Sequence, residues 1–245
     1  MIDIGVFQAL VNISDCISQI PSGLFADKFG KKKSLIVGQI LLAFFYLILL
    51  SSRGYMWIGI AHILQGVGFT FIAGADESLL YESVQEKSGE QTNRFTQYIG
   101  RYAAIATLSQ AIAMGLGGFL QLVSWNLVFG LSFLFKMISI IQTLFLKESK
   151  ISETNAKEHK SLLKESFVYL SSNKAMLFYI ISVGMFLGIS STYYWFSQDM
   201  LEGYNYKVYQ ISVIFAVESL ISVVISDKAY IVEKHLTSKK HCLHA

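Results

Sequence analysis

Long apolar blocks constrain this chain more than any other feature of its sequence. They are separated by polar segments at 25–33, 76–97, 147–174 and 198–206 and by two short turns. The apolar blocks, each of about 20 residues, are 4–24, 34–52, 55–75, 98–120, 125–146, 175–197 and 207–226. A helix of about 20 residues crosses the ~30 Å hydrocarbon layer of a bilayer. Because lipid offers no partners to backbone polar groups, such segments must satisfy them internally as helices. The pattern predicts an all-α polytopic membrane protein, a bundle of about seven transmembrane helices.

The composition also favours a lipid environment. Of the 245 residues, 53% are hydrophobic and 15% are charged, whereas a soluble domain carries about 25% charged residues. Cys16 and Cys242 lie on a predicted span and in a basic tail, so they indicate no disulfide framework. The first segment lacks a basic stretch and contains Asp3 and Asp15, so we expect no cleavable signal peptide. A soluble all-helical protein is the alternative, but it would show amphipathic repeats instead of apolar blocks.

Positive charge is distributed unevenly between the loops. Seventeen of the twenty Lys and Arg residues fall in alternate loops and in the tail, on one side of the predicted bundle. Arg53 and Lys207 fall on the other side, and Lys136 lies within a span. Lys and Arg are retained on the cytoplasmic side during membrane insertion. The lysine-rich side is therefore predicted to be cytoplasmic.

This orientation predicts a multi-pass protein of the plasma membrane with Met1 outside and Ala245 inside. The segment 148–173 and the tail from Asp227 onwards would both be cytoplasmic. Tryptophan favours the headgroup region, and three tryptophans fall near predicted outer ends of spans: Trp57, Trp125 and Trp195.

The densest group of basic residues is the loop after the first span, "GLFADKFGKKKSL" (23–35). Glycine at Gly23 would permit close helix contact, and Gly30 would permit a tight reversal of the chain. Asp27 can lie against the N-terminus of a neighbouring helix. The residues of this loop that we expect to matter are Gly23, Asp27, Lys28, Gly30, Lys31 and Lys32.

The loop resembles the G-x-L-a-D-r-x-G-r-k motif between the second and third spans of major facilitator superfamily transporters. Phe25 replaces the usual leucine, and lysines stand where arginine is common. The stretch "GADESLLYES" (74–83) is similar to the end of the fourth span in a bacterial branch of this superfamily. The resemblance runs from about residue 4 to residue 234. It identifies the seven predicted spans with spans two to eight of a twelve-span transporter.

The resemblance implies an incomplete twelve-helix fold in three parts. Residues 1–147 would form an N-terminal half-bundle lacking its first helix, and 174–245 would form the beginning of the C-terminal half with a basic tail. Between them, 148–173 would be the cytoplasmic linker, in which "EHKSLLKESFVYL" is typical of an amphipathic interfacial helix. A truncated form of this kind is expected not to transport alone, since helices that form the central cavity would be absent.

The same resemblance implies that the loop belongs to a charge network that changes between inward-open and outward-open states. Its candidate partners lie at the same ends of the following spans: Asp76, Glu77, Glu82, Arg94 and Arg101. Solvated ion pairs contribute little individually. Such a network would bias a conformational switch rather than hold the fold together.

Four polar residues of the first span, Gln8, Asn12, Asp15 and Gln19, are spaced to lie on one helix face. Asp15 is about ten residues, or roughly 15 Å, from the predicted cytoplasmic end, which is near mid-membrane. A carboxylate at that depth costs at least ~2.5 kcal/mol on insertion scales. The face is therefore either a substrate or proton site or a structural polar seam, and the sequence leaves both interpretations open.

The third span carries His62 and Gln65, where many proton-coupled relatives have R-x-x-Q-G. Histidine titrates near neutrality, so proton coupling stays open, although a lone histidine on a helix face is usually structural. Glu218 interrupts another span, which the resemblance makes the pseudo-symmetric mate of the span with Asp15. The stretch "TYYWFSQDM" (192–200) indicates either an interfacial aromatic belt or an aromatic wall of a substrate path.

The remaining motifs distinguish between classes of function, such as transporter and enzyme, but do not indicate a substrate. "AMGLGG" (113–118) partly matches the G-P-x-x-G-G element of drug antiporters, but Met114 replaces the proline, so its glycines are predicted to serve helix packing. No nucleotide-binding, hydrolase or metal-ligand spacing occurs in the sequence, so we expect no enzyme, cofactor, metal or nucleic-acid partner. The leading hypothesis is a secondary transporter of a small solute, with protons as a candidate coupling ion. The alternative is a seven-span receptor or membrane scaffold, which would bind a ligand without flux.

Overall fold

The fold is known from a computed structural model that describes residues 2–88, 92–147 and 168–223. The helices in chain order are α1 (Ile2–Phe29), α2 (Lys31–Ser51), α3 (Tyr55–Ile72), α4 (Ala75–Ser88), α5 (Thr92–Val123), α6 (Trp125–Leu144), α7 (Lys174–Gly203) and α8 (Val208–Val223). These ranges contain no strand, which confirms the all-α prediction. Most of the predicted linker, the basic tail and the side chain of Arg94 lie outside what the structure describes.

Helices form at all seven predicted spans. Within the described residues, five stretches are long and apolar enough to cross a membrane: Lys31–Ser51, Tyr55–Val84, Tyr98–Val123, Trp125–Leu144 and Lys174–Gly203. Helix α1 has 28 residues but is more polar than these five stretches, because it carries Gln8, Asn12, Asp15 and Gln19. Helix α8 is apolar but shorter than they are. The architecture is that of a multi-pass helical membrane protein.

The segment after the third predicted span is helical, although the sequence analysis assigned it to a polar loop. Helix α3 ends at Ile72, and Gly74 turns the chain with a φ of 77° before α4 begins. Ala75 and Leu79 of α4 are buried against Leu35 of α2. Burial of this apolar face explains why the otherwise polar segment continues as a helix.

The turn between α1 and α2 consists of Gly30 alone. Its φ of 103° belongs to the region that side-chain-bearing residues rarely adopt, so the predicted tight reversal is confirmed. The predicted role of Gly23 in close helix contact is wrong, because a Cβ built there would meet no atom within 4 Å. Gly23 instead borders a cavity.

Helices α1, α2 and α3 pack through glycines. A Cβ on Gly38 of α2 would lie 2.7 Å from the carbonyl oxygen of Gly68 on α3. A Cβ on Gly66 would collide with the backbone of Val11 on α1. Small residues at such crossings let helix backbones approach closely in membranes, and these three helices form the best-packed part of the bundle.

Helix α6 packs against α2 through a buried polar pair. The Gln39 side-chain amide donates to the Thr143 hydroxyl at 3.0 Å, and that hydroxyl lies 3.2 Å from the Gln39 carbonyl oxygen. The Thr143 hydroxyl also lies 2.9 Å from the Ser139 carbonyl oxygen. These contacts satisfy groups that lipid could not satisfy, and they fix α6 beside α2.

Helix α8 packs on α5. A Cβ on Gly118 would collide with the side chain of Ser212, whereas one on Gly115 would lie 3.8 Å from Ala216, and one on Gly117 would meet nothing. The predicted role in close helix packing is therefore confirmed at Gly118. Gly115 makes only an ordinary van der Waals contact, and the prediction is wrong for Gly117, which contacts no neighbouring helix among the described residues.

Candidate functional site

The lysines of the motif loop (23–35), which lie in the last turn of α1 and the first turn of α2, contact different neighbours. Lys31 forms an ion pair with Glu82 of α4, and the two side chains are 23% and 28% exposed. The Lys32 ammonium donates to the carbonyl oxygen of Leu144, at the C-terminus of α6, at 2.7 Å. A cation there satisfies a terminal carbonyl group and interacts favourably with the helix dipole. The loop thereby ties α2 to both α4 and α6.

Two other residues of the loop have local contacts. The Lys28 ammonium lies 5.2 Å from the centroid of the Phe29 ring, a cation–π geometry. Phe25, which replaces the leucine of the motif, packs its ring 5.4 Å from that of Phe71 on α3. The substitution thus fills space between α1 and α3 with an aromatic contact.

Asp76 is connected to α5 through a residue that the sequence analysis did not single out. The Tyr102 hydroxyl donates to the Asp76 carboxylate at 2.6 Å, and the backbone N–H of Glu77 donates to the other oxygen at 2.8 Å. Glu77 and Arg101 are exposed. No sequence signal distinguishes Tyr102 from an ordinary aromatic residue at the end of a span, so its role emerges only from the packing of α4 against α5.

A cavity of about 410 Å³ lies among α1, α2 and the junction of α3 with α4. Gln19, Gly23 and Asp27 line it from α1, and Lys31 lines it from α2. Its other walls are mainly small side chains: Ser22, Ala26, Ser34, Thr70, Ala73, Gly74, Ala75 and Ser78. The cavity therefore joins the motif loop to the polar face of α1.

The polar face of α1 is divided between two environments. Near one end, the Gln8 amide donates to the Asn12 side-chain oxygen at 3.1 Å. Asp15 lies at the centre of the helix and is half-buried, and its backbone passes beside Gly66 of α3. Gln19, one turn further, borders the cavity. The predicted face is thus continuous, but its members have different surroundings.

His62 of α3 is enclosed by aromatic rings from α1 and α2. Its ring stacks on Phe7 with a centroid distance of 4.9 Å, and it meets Phe45 edge-on at 5.6 Å. Its Nδ1 lies 2.8 Å from the Ile58 carbonyl oxygen. These contacts are those of a packed aromatic residue at a helix junction. Gln65, one turn further along α3, is half-buried.

A second polar group joins α5, α7 and α8 around Tyr194. Its hydroxyl lies 3.7 Å from the Met114 sulfur on α5. Its ring meets that of Phe215 edge-on at 5.1 Å, and it lies within electrostatic range of Glu218. Glu218 is among the residues predicted from the sequence, whereas the stretch around Tyr194 predicts an aromatic belt or wall and not this contact.

The fold and these polar groups define a class of protein: a multi-pass helical membrane protein with a lysine-rich loop at one end. The sequence model of the Major Facilitator Superfamily matches residues 2–239. The chain belongs to this superfamily, and the resemblance carried by the loop is thereby confirmed.

Curated relatives are described as transporters. An "Uncharacterized transporter" of Buchnera aphidicola subsp. Schizaphis graminum (strain Sg) is 23% identical over 184 residues, which are 75% of this chain and 44% of that protein. The "Uncharacterized MFS-type transporter YxaM" of Bacillus subtilis (strain 168) is 22% identical over 239 residues, which are 91% of this chain and 56% of that protein. The chain spans about half the length of these curated relatives.

Proposed function

We propose that this protein serves in secondary transport of a small solute across the plasma membrane by alternating access. The observation that carries this proposal is the loop network, in which Lys31 pairs with Glu82 and Lys32 binds the end of α6. Carriers of this architecture rock one helical bundle against the other around a central site. A loop that holds three helices at one membrane surface is suited to favouring one state of that motion.

The interactions of this network are weak enough to be broken and formed again during a conformational change. The ion pair is partly solvated, and pairs of this kind contribute about 0.2–1 kcal/mol. The hydrogen bond from the charged Lys32 ammonium to a backbone carbonyl adds about 1.5–3 kcal/mol. Both interactions can therefore be broken at a free-energy cost of a few kcal/mol, which is compatible with repeated conformational exchange.

Asp15 is the residue that we propose as the proton-coupling group. It lies at the centre of α1, and ionisable residues at mid-membrane depth commonly belong to ion or substrate pathways. Gln8, Asn12 and Gln19 extend the same face as candidate solute contacts. Glu218 is the corresponding carboxylate candidate in the second half, beside Tyr194.

His62 and Gln65 are proposed as supporting residues in this scheme. The aromatic contacts of His62 hold α3 against α1 and α2, close to the crossing at which Gly66 meets the backbone beside Asp15. A histidine packed in this way can help to position Asp15 through the packing of α3 against α1.

The proposal is tested by gradient-driven uptake in proteoliposomes. The chain, and any longer product of the same gene, is reconstituted and supplied with a proton gradient and a panel of sugars, peptides, metabolites and organic drugs. We expect no uptake by residues 1–245 alone. From a protein that carries both complete halves, we expect uptake of one solute class that an uncoupler abolishes and that Asp15→Asn lowers at least tenfold. Asp3→Asn, at the exposed start of α1, is the matched control. Saturable ligand binding without flux would favour a receptor instead.

A further inference from the structure

The cavity beside the motif loop continues the polar face of α1. Gln8, Asn12, Asp15 and Gln19 are followed on the same side by Ser22 and Ala26, and Gln19, Ser22 and Ala26 all line the cavity. In a helix, residues spaced by three and four lie above one another. A single stripe of polar and small residues therefore runs from mid-membrane to the loop.

The cavity has the size and lining expected of a hydrated space. Its volume of about 410 Å³ is many times the ~10–15 Å³ needed to hold one water. Asp27 and Lys31 contribute charged groups, and Gln19 contributes an amide. Apolar cavities stay dry, whereas polar cavities with several hydrogen-bonding groups hold water.

The opposite side of α1 is apolar at the same depth. Four residues, Ile13, Ile17, Ile20 and Leu24, form an exposed stripe and are 56%, 69%, 60% and 39% exposed. Gln19 and Ile20 differ by one residue, about 1.5 Å along the helix axis, but by 100° in direction. The helix thus separates a polar side from a lipid-compatible side.

We infer that this cavity is a water-filled vestibule that admits solvent from the lysine-rich face, past Asp27 and Lys31, to Gln19 and onward to Asp15. It is formed within the first half of the protein, by α1, α2 and the α3–α4 junction. The vestibule would supply water and protons to Asp15. Its existence does not depend on transport, whereas its use in proton coupling rests on the proposed function.

The vestibule is tested by the reactivity of single cysteines in the full chain. The background carries Cys16→Ser and Cys242→Ser, which removes both native thiols. Gln19→Cys and Ser22→Cys report on the cavity, and Ile20→Cys is the matched control. The probe is a charged, membrane-impermeant methanethiosulfonate added from the side of the lysines, because it reacts with the thiolate and needs water to reach it.

We expect Gln19→Cys and Ser22→Cys to react at least about tenfold faster than Ile20→Cys. Equal rates at Gln19→Cys and Ile20→Cys would show that the cavity is dry and would overturn the inference. Faster reaction of Gln19→Cys from the opposite side of the membrane would also overturn it, because solvent would then arrive by another route. Uptake assays play no part in this measurement, so its outcome is separate from that of the proposed transport.

Two filling substitutions test whether solvent passes through this cavity. Ala26→Leu and Ser78→Leu add volume from opposite walls, on α1 and α4. Either one, in a variant that elutes as a monodisperse species, should slow the labelling of Gln19→Cys at least fivefold and leave that of Ile20→Cys unchanged. Asp15→Cys should react more slowly than Gln19→Cys, and the same substitutions should slow it in proportion. Unchanged labelling of Gln19→Cys in both filled variants would contradict the inference.

Discussion

At the scale of single residues, two lysines of the motif loop (23–35), Lys31 and Lys32, have distinct partners despite being adjacent in the first turn of α2. Lys31 reaches a carboxylate 51 positions away in sequence, and Lys32 reaches a backbone carbonyl 112 positions away. Lysine is a flexible point charge, so each ammonium can reach the nearest acceptor that the packed helices present. The charge of the loop therefore connects helices, in addition to its predicted role in orienting the protein in the membrane.

Charge reversal at the Lys31–Glu82 pair should destabilise the protein, and a charge swap should restore its stability. Lys31→Glu brings two carboxylates together, so we expect the free energy of unfolding to fall by about 0.5–1 kcal/mol. The double variant Lys31→Glu with Glu82→Lys should recover most of this loss. Thermal unfolding of the purified protein in detergent measures both effects.

Lys33 provides the control for that experiment. It lies in the same loop and is exposed, so Lys33→Glu alters the net charge equally without touching Glu82. A loss of stability in Lys33→Glu as large as in Lys31→Glu would mean that total loop charge, not the pair, sets stability.

At the scale of helices, glycines decide which pairs come close. The same sequence signal, a glycine within an apolar helix, corresponds to backbone contact at Gly38, Gly66 and Gly118 but to open space at Gly23 and Gly117. Without a hydrophobic driving force between helices in lipid, association depends on close van der Waals contact. A glycine therefore matters only where a neighbouring helix approaches it, and sequence alone does not reveal where that occurs.

Adjacent glycines of α5 allow a matched test of this conclusion. Gly118→Ala would push its methyl group into Ser212 of α8, whereas Gly117→Ala would enter open space. We expect Gly118→Ala to cost about 1–3 kcal/mol through overpacking, which lowers the midpoint of thermal unfolding by roughly 3–10 °C. Gly117→Ala should leave the midpoint unchanged or raise it.

A rescue variant tests the assigned contact directly. Adding Ser212→Gly to Gly118→Ala removes the side chain that the new methyl group would strike, so most of the lost stability should return. If the double variant stays as unstable as Gly118→Ala alone, α5 and α8 do not meet at this point.

At the scale of the whole molecule, hydropathy and charge distribution determine a multi-pass bundle with one lysine-rich face. The network at that face ties α2 to α4 and α6, while the Tyr194 group ties α5 to α7 and α8. The first group lies within the predicted N-terminal half, and the second connects α5 of that half to α7 and α8 of the other.

The orientation of the bundle is tested with reporters fused at successive loops. Fusions behind Lys33 and behind Lys150 should report the same, cytoplasmic side, and fusions behind Arg53 and behind Lys207 should report the outer side. A reporter that matures only in an oxidising compartment distinguishes the two. Opposite locations for Lys33 and Lys150 would contradict the predicted topology and the transporter assignment with it.

Much of the fold could be predicted because its determinants are local. The helices, their approximate ends and the tight turn at Gly30 follow from apolar length and from glycine chemistry. The prediction failed for Ala75–Ser88, which continues as a helix because Leu79 packs against Leu35 on another helix. Tyr102 and Tyr194 were missed for the same reason, since their polar partners lie on different helices.

The sequence by itself determined that the chain forms apolar helices, where its charges fall along them and which superfamily it resembles, because these properties reside in consecutive residues. Only the tertiary structure decided that Lys31 pairs with Glu82, that aromatic rings enclose His62 and that a polar cavity extends the face of Asp15. Those facts depend on distances between residues far apart in the chain. Such distances are set by the close packing of helices, which no short stretch of sequence encodes.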